Sequence, residues 1–272
     1  MSKDYLIKVM SLNLRYDKPD PGNNAWTVRK AAVAALINSY APDIIGTQEG
    51  KAHQLLDLHR LLPDYQSVGG DRTGTGTDEH CAIFYHTQRI KCLVTGDFSL
   101  SDTPEIPGSI SSTWGNSLPR MVSWAVFAAG GEQKTIALLN THLDYESPRS
   151  RELSVALIRD HLSNFNPAET YLMITGDFNA EPGSVTRQAL EQPLLNGLHL
   201  QDVLADVELE QQLSFHDFTG KAFVAIDTIY CDSRLSLRDV KVDTGQWEGI
   251  WPSDHFSVAA DFVFALSKVS ST

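Results

Sequence analysis

Two β-sheets packed face to face, with helices on their outer sides, are the architecture that this 272-residue sequence predicts. Three observations lead there. Eight short β-rich runs recur along the chain, too many for a helical bundle. Helix patterns lie between some of them, as crossovers between parallel strands require. From Cys81 to Asn140 the strand runs follow one another with no helix pattern, so antiparallel pairing must be common and a purely parallel sheet does not fit.

The elements read in order as follows. Ile7 to Leu12 is the first β-rich run, and Ala32, Val33, Leu36, Ile37 and Tyr40 then line one helix face that Pro42 ends. Strand runs follow at Asp43 to Thr47, Cys81 to Tyr85, Met121 to Phe127 and Thr135 to Asn140. Val155, Ile158, Leu162 and Phe165 mark a second helix, for which Ser147 is a candidate N-cap with Pro148 in the first turn. The last runs are Tyr171 to Thr175, Ile226 to Cys231 and Phe256 to Phe264. No repeat and no proline- or serine-rich linker divides the chain, so a single domain over residues 1–272 is expected.

Composition narrows the function. With 42% hydrophobic and 21% charged residues the chain is an ordinary globular protein, able to bury a core that holds a rigid site. A net charge of -12 repels polyanions unless bound cations reverse the field locally, which argues against a long duplex as substrate. Cys81, Cys92 and Cys231 stand in no zinc-type or redox-type spacing and read as thiols in a reducing compartment. Met1 to Asn13 contains Lys3, Asp4 and Lys8 and no long apolar stretch, so neither a secretion signal nor a membrane anchor is expected, and the predicted location is cytoplasmic.

Chemistry concentrates where apolar strands end. Ser11-Leu12-Asn13, Gly46-Thr47-Gln48-Glu49, Asn140-Thr141-His142, Thr175-Gly176-Asp177-Phe178-Asn179, Ile226-Asp227 and Ser253-Asp254-His255 each place a metal-ligating or proton-transferring residue there. Any one Asp or Asn after a strand is by default a turn former. Six in order are a candidate cleft, because strand ends are where a scaffold presents side chains.

These short sequences resemble the endonuclease/exonuclease/phosphatase superfamily, most specifically in Gly176-Asp177-Phe178-Asn179-Ala180 and the distant Ser253-Asp254-His255, with Gln48-Glu49 and Asn140-Thr141-His142-Leu143 in support. The resemblance covers nearly the whole chain. It implies a four-layer α/β/β/α sandwich and a divalent-metal-dependent phosphoesterase. By that resemblance Glu49 binds Mg²⁺ or Mn²⁺ with Asn13 nearby, and Asp254 contributes directly or through water; such ions prefer oxygen ligands. Zinc is disfavoured, since the histidines form no cysteine-rich or His-x-x-x-His cluster. Asp177 would orient or deprotonate the attacking water, Asn179 position it, and His255, held by Asp227, donate to the phosphoryl oxygens. His142 would form a second such pair with Glu79. One departure is that many relatives place Arg before the Ile-Asp pair, where this chain has Ala225-Ile226-Asp227-Thr228.

For substrate contacts, Arg120 and Arg149 or Arg151 are candidate phosphate clamps, because guanidinium groups bind phosphate bidentately. Trp26 and Trp114 lie in polar loops and could stack a base or sugar at the rim. Gly69, Gly70, Gly74 and Gly76 lack the Lys-Ser/Thr ending of a nucleotide loop and read as a rim loop. The segment from Pro104 to Arg120 resembles a bacterial branch of the superfamily. The leading expectation is hydrolysis of a small or flexible phosphate ester by in-line attack of water. A single-strand nuclease or deadenylase, and a catalytically silent binding protein of the same fold, stand as alternatives. A phosphorylated small molecule or short nucleic acid is the expected partner, with no membrane and no obligatory protein partner.

Overall fold

The structure, a computed structural model, describes residues 4–129 and 134–265. The elements are β1 (Asp4–Asn13), α1 (Trp26–Tyr40), β2 (Ile44–Gln48), α2 (Ala52–Leu61), β3 (Tyr65–Val68), β4 (Ile83–His86), β5 (Lys91–Ser99), β6 (Met121–Ala129), β7 (Lys134–His142), α3 (Pro148–Ser163), β8 (Thr170–Asp177), α4 (Val185–Leu190), β9 (Leu200–Asp202), α5 (Leu209–Gln212), β10 (Asp227–Asp232), β11 (Ser236–Asp243) and β12 (Ser257–Ala265). They build two six-stranded sheets, ordered β11-β12-β1-β2-β4-β3 and β5-β6-β7-β8-β10-β9. Each sheet holds one parallel pair, β1 with β2 and β7 with β8, while its other pairs are antiparallel. A parallel pair needs a crossover, and α1 and α3 supply the two.

Alternation along the strands builds four layers. Ile7 and Val9 of β1 point between the sheets with Ile136, Leu138, Met173 and Ile229. Met10 and Leu12 face the other way, onto Val33 and Ile37 of α1 and Leu55 and Leu58 of α2. On the far side Leu139 and Ile174 pack under Val155, Ile158 and Leu162 of α3. The helix α3 starts as its sequence indicates: the Ser147 side chain accepts from Ser150 N–H and Pro148 occupies the first turn.

Towards one end of the sandwich the inner layer turns polar. Asn140 accepts from Gln48 at 2.7 Å and donates to the carbonyl of Thr47 at 2.8 Å, so one amide bonds the two sheets together. Gly46 makes this approach possible: a Cβ there would lie 1.9 Å from Thr175 Oγ1. Every member of this layer is buried, and its cross-sheet hydrogen bonds fix the sheets' relative position just beneath the strand ends.

The thiols of Cys81 and Cys231 are buried, and burial pushes each up to about 12, which leaves them protonated and unreactive. Among the described residues no helix is long and apolar enough to cross a membrane.

Candidate active site

Strand register brings the candidate residues together. In the β7–β8 pair His142 lies opposite Asp177, and in the β8–β10 pair Asp227 lies opposite the same Asp177. Across the gap, Asn13 lies opposite Gln48, the residue before Glu49. Residues 35 to 50 apart in the chain therefore stand abreast, since same-position neighbours on adjacent strands share a face.

Asn13 bridges the sheets at this end. Its amide donates to Glu49 Oε1 at 3.0 Å and to Asp177 Oδ2 at 3.1 Å, and its own oxygen accepts from Arg15 N–H at 2.9 Å. The second Glu49 oxygen accepts from Tyr16 N–H at 3.0 Å. Asp177 Oδ1 accepts from Asn179 N–H at 3.0 Å, and the Asn179 amide donates to the carbonyl of Leu143. Arg15, Glu49 and Asn179 all have positive φ, at 55°, 65° and 46°, a conformation that a side chain disfavours. Hydrogen bonds from Arg15 N–H to Asn13, from Tyr16 N–H to Glu49 and from Asn179 N–H to Asp177 hold the backbone in that conformation at the cleft.

A second knot surrounds His255. Its Nδ1–H donates to Asp227 Oδ2 at 2.8 Å, and Ser214 Oγ donates to the same oxygen at 2.6 Å. Ser214 also accepts from Asp227 N–H, so the acid is held by its backbone and its side chain. That leaves Nε2 as the free nitrogen, 4.0 Å from Asp254 Oδ1. Asp254 is buried, with Oδ2 3.3 Å from Arg15 Nη1. The two histidines differ in charge, His255 being cationic and His142 neutral. Burial pulls His255 down, but Asp227, Asp254 and Asp177 outweigh it and hold its imidazolium well above the ordinary histidine value. His142 is held well below that value, by burial first and then by Arg120 and His255. Asp177 is raised by burial and by the charge of Asp227.

A cleft of about 880 Å³ opens over these groups. Glu49, Glu79, Arg120, His142, Asp177, Asn179, Asp254 and His255 reach its wall; Asn13 and Asp227 lie buried behind it. Several expected placements change. Glu79 does not pair with His142: its carboxylate binds Arg72 at 2.9 Å, and the carboxylate within 4 Å of His142 belongs to Asp177, at 3.6 Å. Burial and the charge of Glu49 push Glu79 up to about 7. Trp114 is 4% exposed, packed in the core under α3 with its Nε1–H donating to Asp102, so it cannot stack a ligand at the rim. Trp26 is likewise buried. Arg120 reaches the cleft with Nε 3.6 Å from Asp144, whereas Arg151 donates to the carbonyl of Asp144 and stands behind it. Arg149 is engaged with the carbonyl of Thr113.

Sequence reasoning missed Arg15, Tyr16, Lys51, Arg72, Tyr145, Phe215 and Phe223, all on the cleft wall. They sit outside the strands, where no periodicity flags them. His216 was also missed. Its ring stacks on Phe256 at 4.1 Å, and burial, then the charge of His255, lowers it to about 4. A histidine depressed on folding gives stability that is complete above its unfolded value near 6.5 and is lost as pH falls towards 4. Metal-free protein should therefore lose stability faster between those pH values than His216→Gln, as measured by urea midpoints; equal slopes would remove His216 as the cause.

The donor set suits a hard divalent cation. Glu49, His142 and Asp177 each offer a ligand atom within 4.8 Å of the others, and Asp227 and Asp254 add negative charge nearby. The raised Asp177 is the mark of acids that repel one another in a buried place, and a cation there would relieve it. Asp177, Asp227 and His255 form a second such group, but there the hydrogen bond between His255 and Asp227 already balances the charge.

The model of the endonuclease/exonuclease/phosphatase family matches residues 10–255 of the chain. The chain belongs to that family. It is a divalent-metal-dependent phosphoric ester hydrolase by that membership. Among solved structures, a family member from Bacteroides thetaiotaomicron is 28% identical, with a TM-score of 0.86 over 97% of this chain and 100% of the other. A mannosyl-6-phosphatase from the same organism is also 28% identical, with a TM-score of 0.83 over 95% of this chain and 100% of the other. The human nocturnin catalytic domain, at 20% identity, a TM-score of 0.73 and coverage of 95% and 93%, shares the fold. Among curated protein sequences none matches. The four-layer sandwich with two mixed, largely antiparallel sheets is thus the family architecture in this chain.

Proposed function

We propose that this hydrolase acts on a small phosphate monoester, a sugar phosphate in the first instance. The observation that carries the chemistry is the register that sets His142, Asp177 and Asp227 side by side, opposite Glu49. Three considerations point to the substrate class. The cleft volume lies in the range of small-molecule sites, roughly 300–1,000 Å³. The net charge of -12 opposes long polyanions. A mannosyl-6-phosphatase is similar over its whole length.

Each residue then has a task. Glu49, with Asp254 and with Asn13 beside it, would hold Mg²⁺ or Mn²⁺, a hard ion for oxygen donors that keeps several waters. When bound, the ion neutralises phosphoryl charge and stabilises the leaving oxygen. Asp177, raised by burial and by Asp227, takes the proton of the attacking water, and Asn179 aligns that water. His255, kept cationic with Nε2 free, donates to a phosphoryl oxygen while Asp227 holds its ring in place and stabilises its charge. His142, neutral beside Asp177, contributes a hydrogen bond in place of a charge. Arg120 supplies cationic binding.

The test is a panel of hexose 6-phosphates, other monoesters, a model diester and labelled single-stranded RNA and DNA, each with Mg²⁺ or Mn²⁺ and at low salt. Turnover should be greatest on monoesters and vanish with EDTA. Cleavage of oligonucleotides alone would replace the proposal by the nuclease alternative.

A further inference from the structure

Phe223 is 62% exposed, yet it stands on a tightly bonded segment at the cleft wall. Residues 214–216 bond to neighbours on two sides. Phe215 N–H donates to the carbonyl of Val224, and Phe223 N–H returns to the carbonyl of Phe215 at 3.0 Å. On the other side His216 N–H donates to the carbonyl of Asp254, and Phe256 N–H to that of Ser214. Phe215 thus forms β-bridges with both Val224 and His255. The rings step outward in the same order: Phe215 lies 4.9 Å from the His255 ring, and Phe223 lies 5.1 Å from Phe215.

The cleft is divided in character. Arg72 and Arg120 gather beside Glu49 and His142, in the narrow part that Glu79 also lines. Phe215, Phe223, Val224 and Ile226 gather beside His255. A phosphoryl group held by the charged residues would therefore present its ester oxygen near an apolar aromatic wall. What sets Phe223 apart from the other exposed apolar side chains is its place: its ring packs on Phe215 at the cleft wall beside His255 and so extends the apolar side of the cleft outward.

We propose that Phe223, backed by Phe215, is the specificity platform of this enzyme: it receives the sugar ring of the substrate alcohol on its aromatic face. Sugar rings present an apolar C–H face that covers an aromatic ring, while acyclic alcohols do not. The proposal rests on the phosphomonoesterase reading and names the part of the substrate that the charged residues do not bind. Phe223 stands one ring further from His255 than Phe215 does, so its expected influence is on binding.

The experiment compares a hexose 6-phosphate with glycerol 3-phosphate, equal in charge but lacking a ring, on wild type, Phe223→Ala and Phe223→Trp. Phe223→Ala should raise KM for the hexose phosphate about tenfold with kcat nearly unchanged, a size expected for one lost aromatic stacking contact. KM for glycerol 3-phosphate should stay the same, and Phe223→Trp should restore the hexose phosphate value. Equal changes on both substrates, or no change on either, would overturn the platform. If wild type hydrolyses neither compound, the monoesterase reading has failed on its own; calorimetric titration of hexose 6-phosphate with Mn²⁺ then decides the platform, an unchanged Kd in Phe223→Ala rejecting it and a tenfold weaker one supporting it.

Discussion

Asp177→Asn is expected to lower kcat/KM by about 10²–10⁴-fold, the range for loss of a general base, while leaving the fold intact. The substitution keeps shape and one acceptor. Its oxygen can still receive Asn179 N–H, but the side chain can no longer take a proton. Stability should move the other way. Burial and Asp227 raise the Asp177 value, so the charged carboxylate opposes folding at neutral pH. The neutral amide removes that opposition and loses one hydrogen bond from Asn13, worth about 1 kcal/mol. The melting temperature of metal-free Asp177→Asn should therefore equal or exceed that of wild type. Turnover near the wild-type level in the variant would reject Asp177 as the base.

What the sequence disclosed and what it withheld divide along a physical line. Strand ends are legible because an apolar run that stops at Asn13, His142 or Asp177 is a local pattern. That His142 stands beside Asp177, and Asp227 on its other side, is a matter of register between strands up to 50 residues apart, which no local pattern encodes. The edge strands β3, β5, β9 and β11 escaped for a related reason. Residues 236–239 of β11 are all exposed and include Arg238 and Asp239, so it lacks the apolar alternation by which a strand is read. Trp114 misled through its polar neighbours: Gly115, Asn116 and Ser117 look like a rim, but the indole is buried beneath them. Glu79 was drawn to His142 by resemblance alone, and Arg72, in the glycine-rich loop, claimed it. The cleft's cationic and aromatic walls come mostly from residues between strands, where spacing carries no information about contact.

Arg29, which no motif singled out, is expected to show the largest effect on stability, about 3–5 kcal/mol lost in Arg29→Met, the range for a broken buried network. The side chain is fully buried in α1. Its guanidinium donates to the carbonyls of Asn24, Leu14, Pro252 and Arg15, at 2.7 to 3.1 Å, and lies over the rings of Trp26 and Phe218. Burial lowers its pKa to about 10, with Asp254 opposing the fall, so it stays charged at neutral pH. Methionine fills the stem's space and leaves four carbonyls without this donor. Three segments then loosen together. One carries Tyr16, whose N–H holds Glu49; another runs from Pro252 into Asp254 and His255. Arg29→Lys keeps the charge but offers three donors from one atom, too few and too compact to span all four carbonyls, so it should recover only part of the loss. Urea unfolding of the three proteins measures this directly. A Met variant within 1 kcal/mol of wild type would mean that these segments are held by their other contacts; the expected result would place a cation on the outer helix layer among the groups that keep both halves of the catalytic cleft in register.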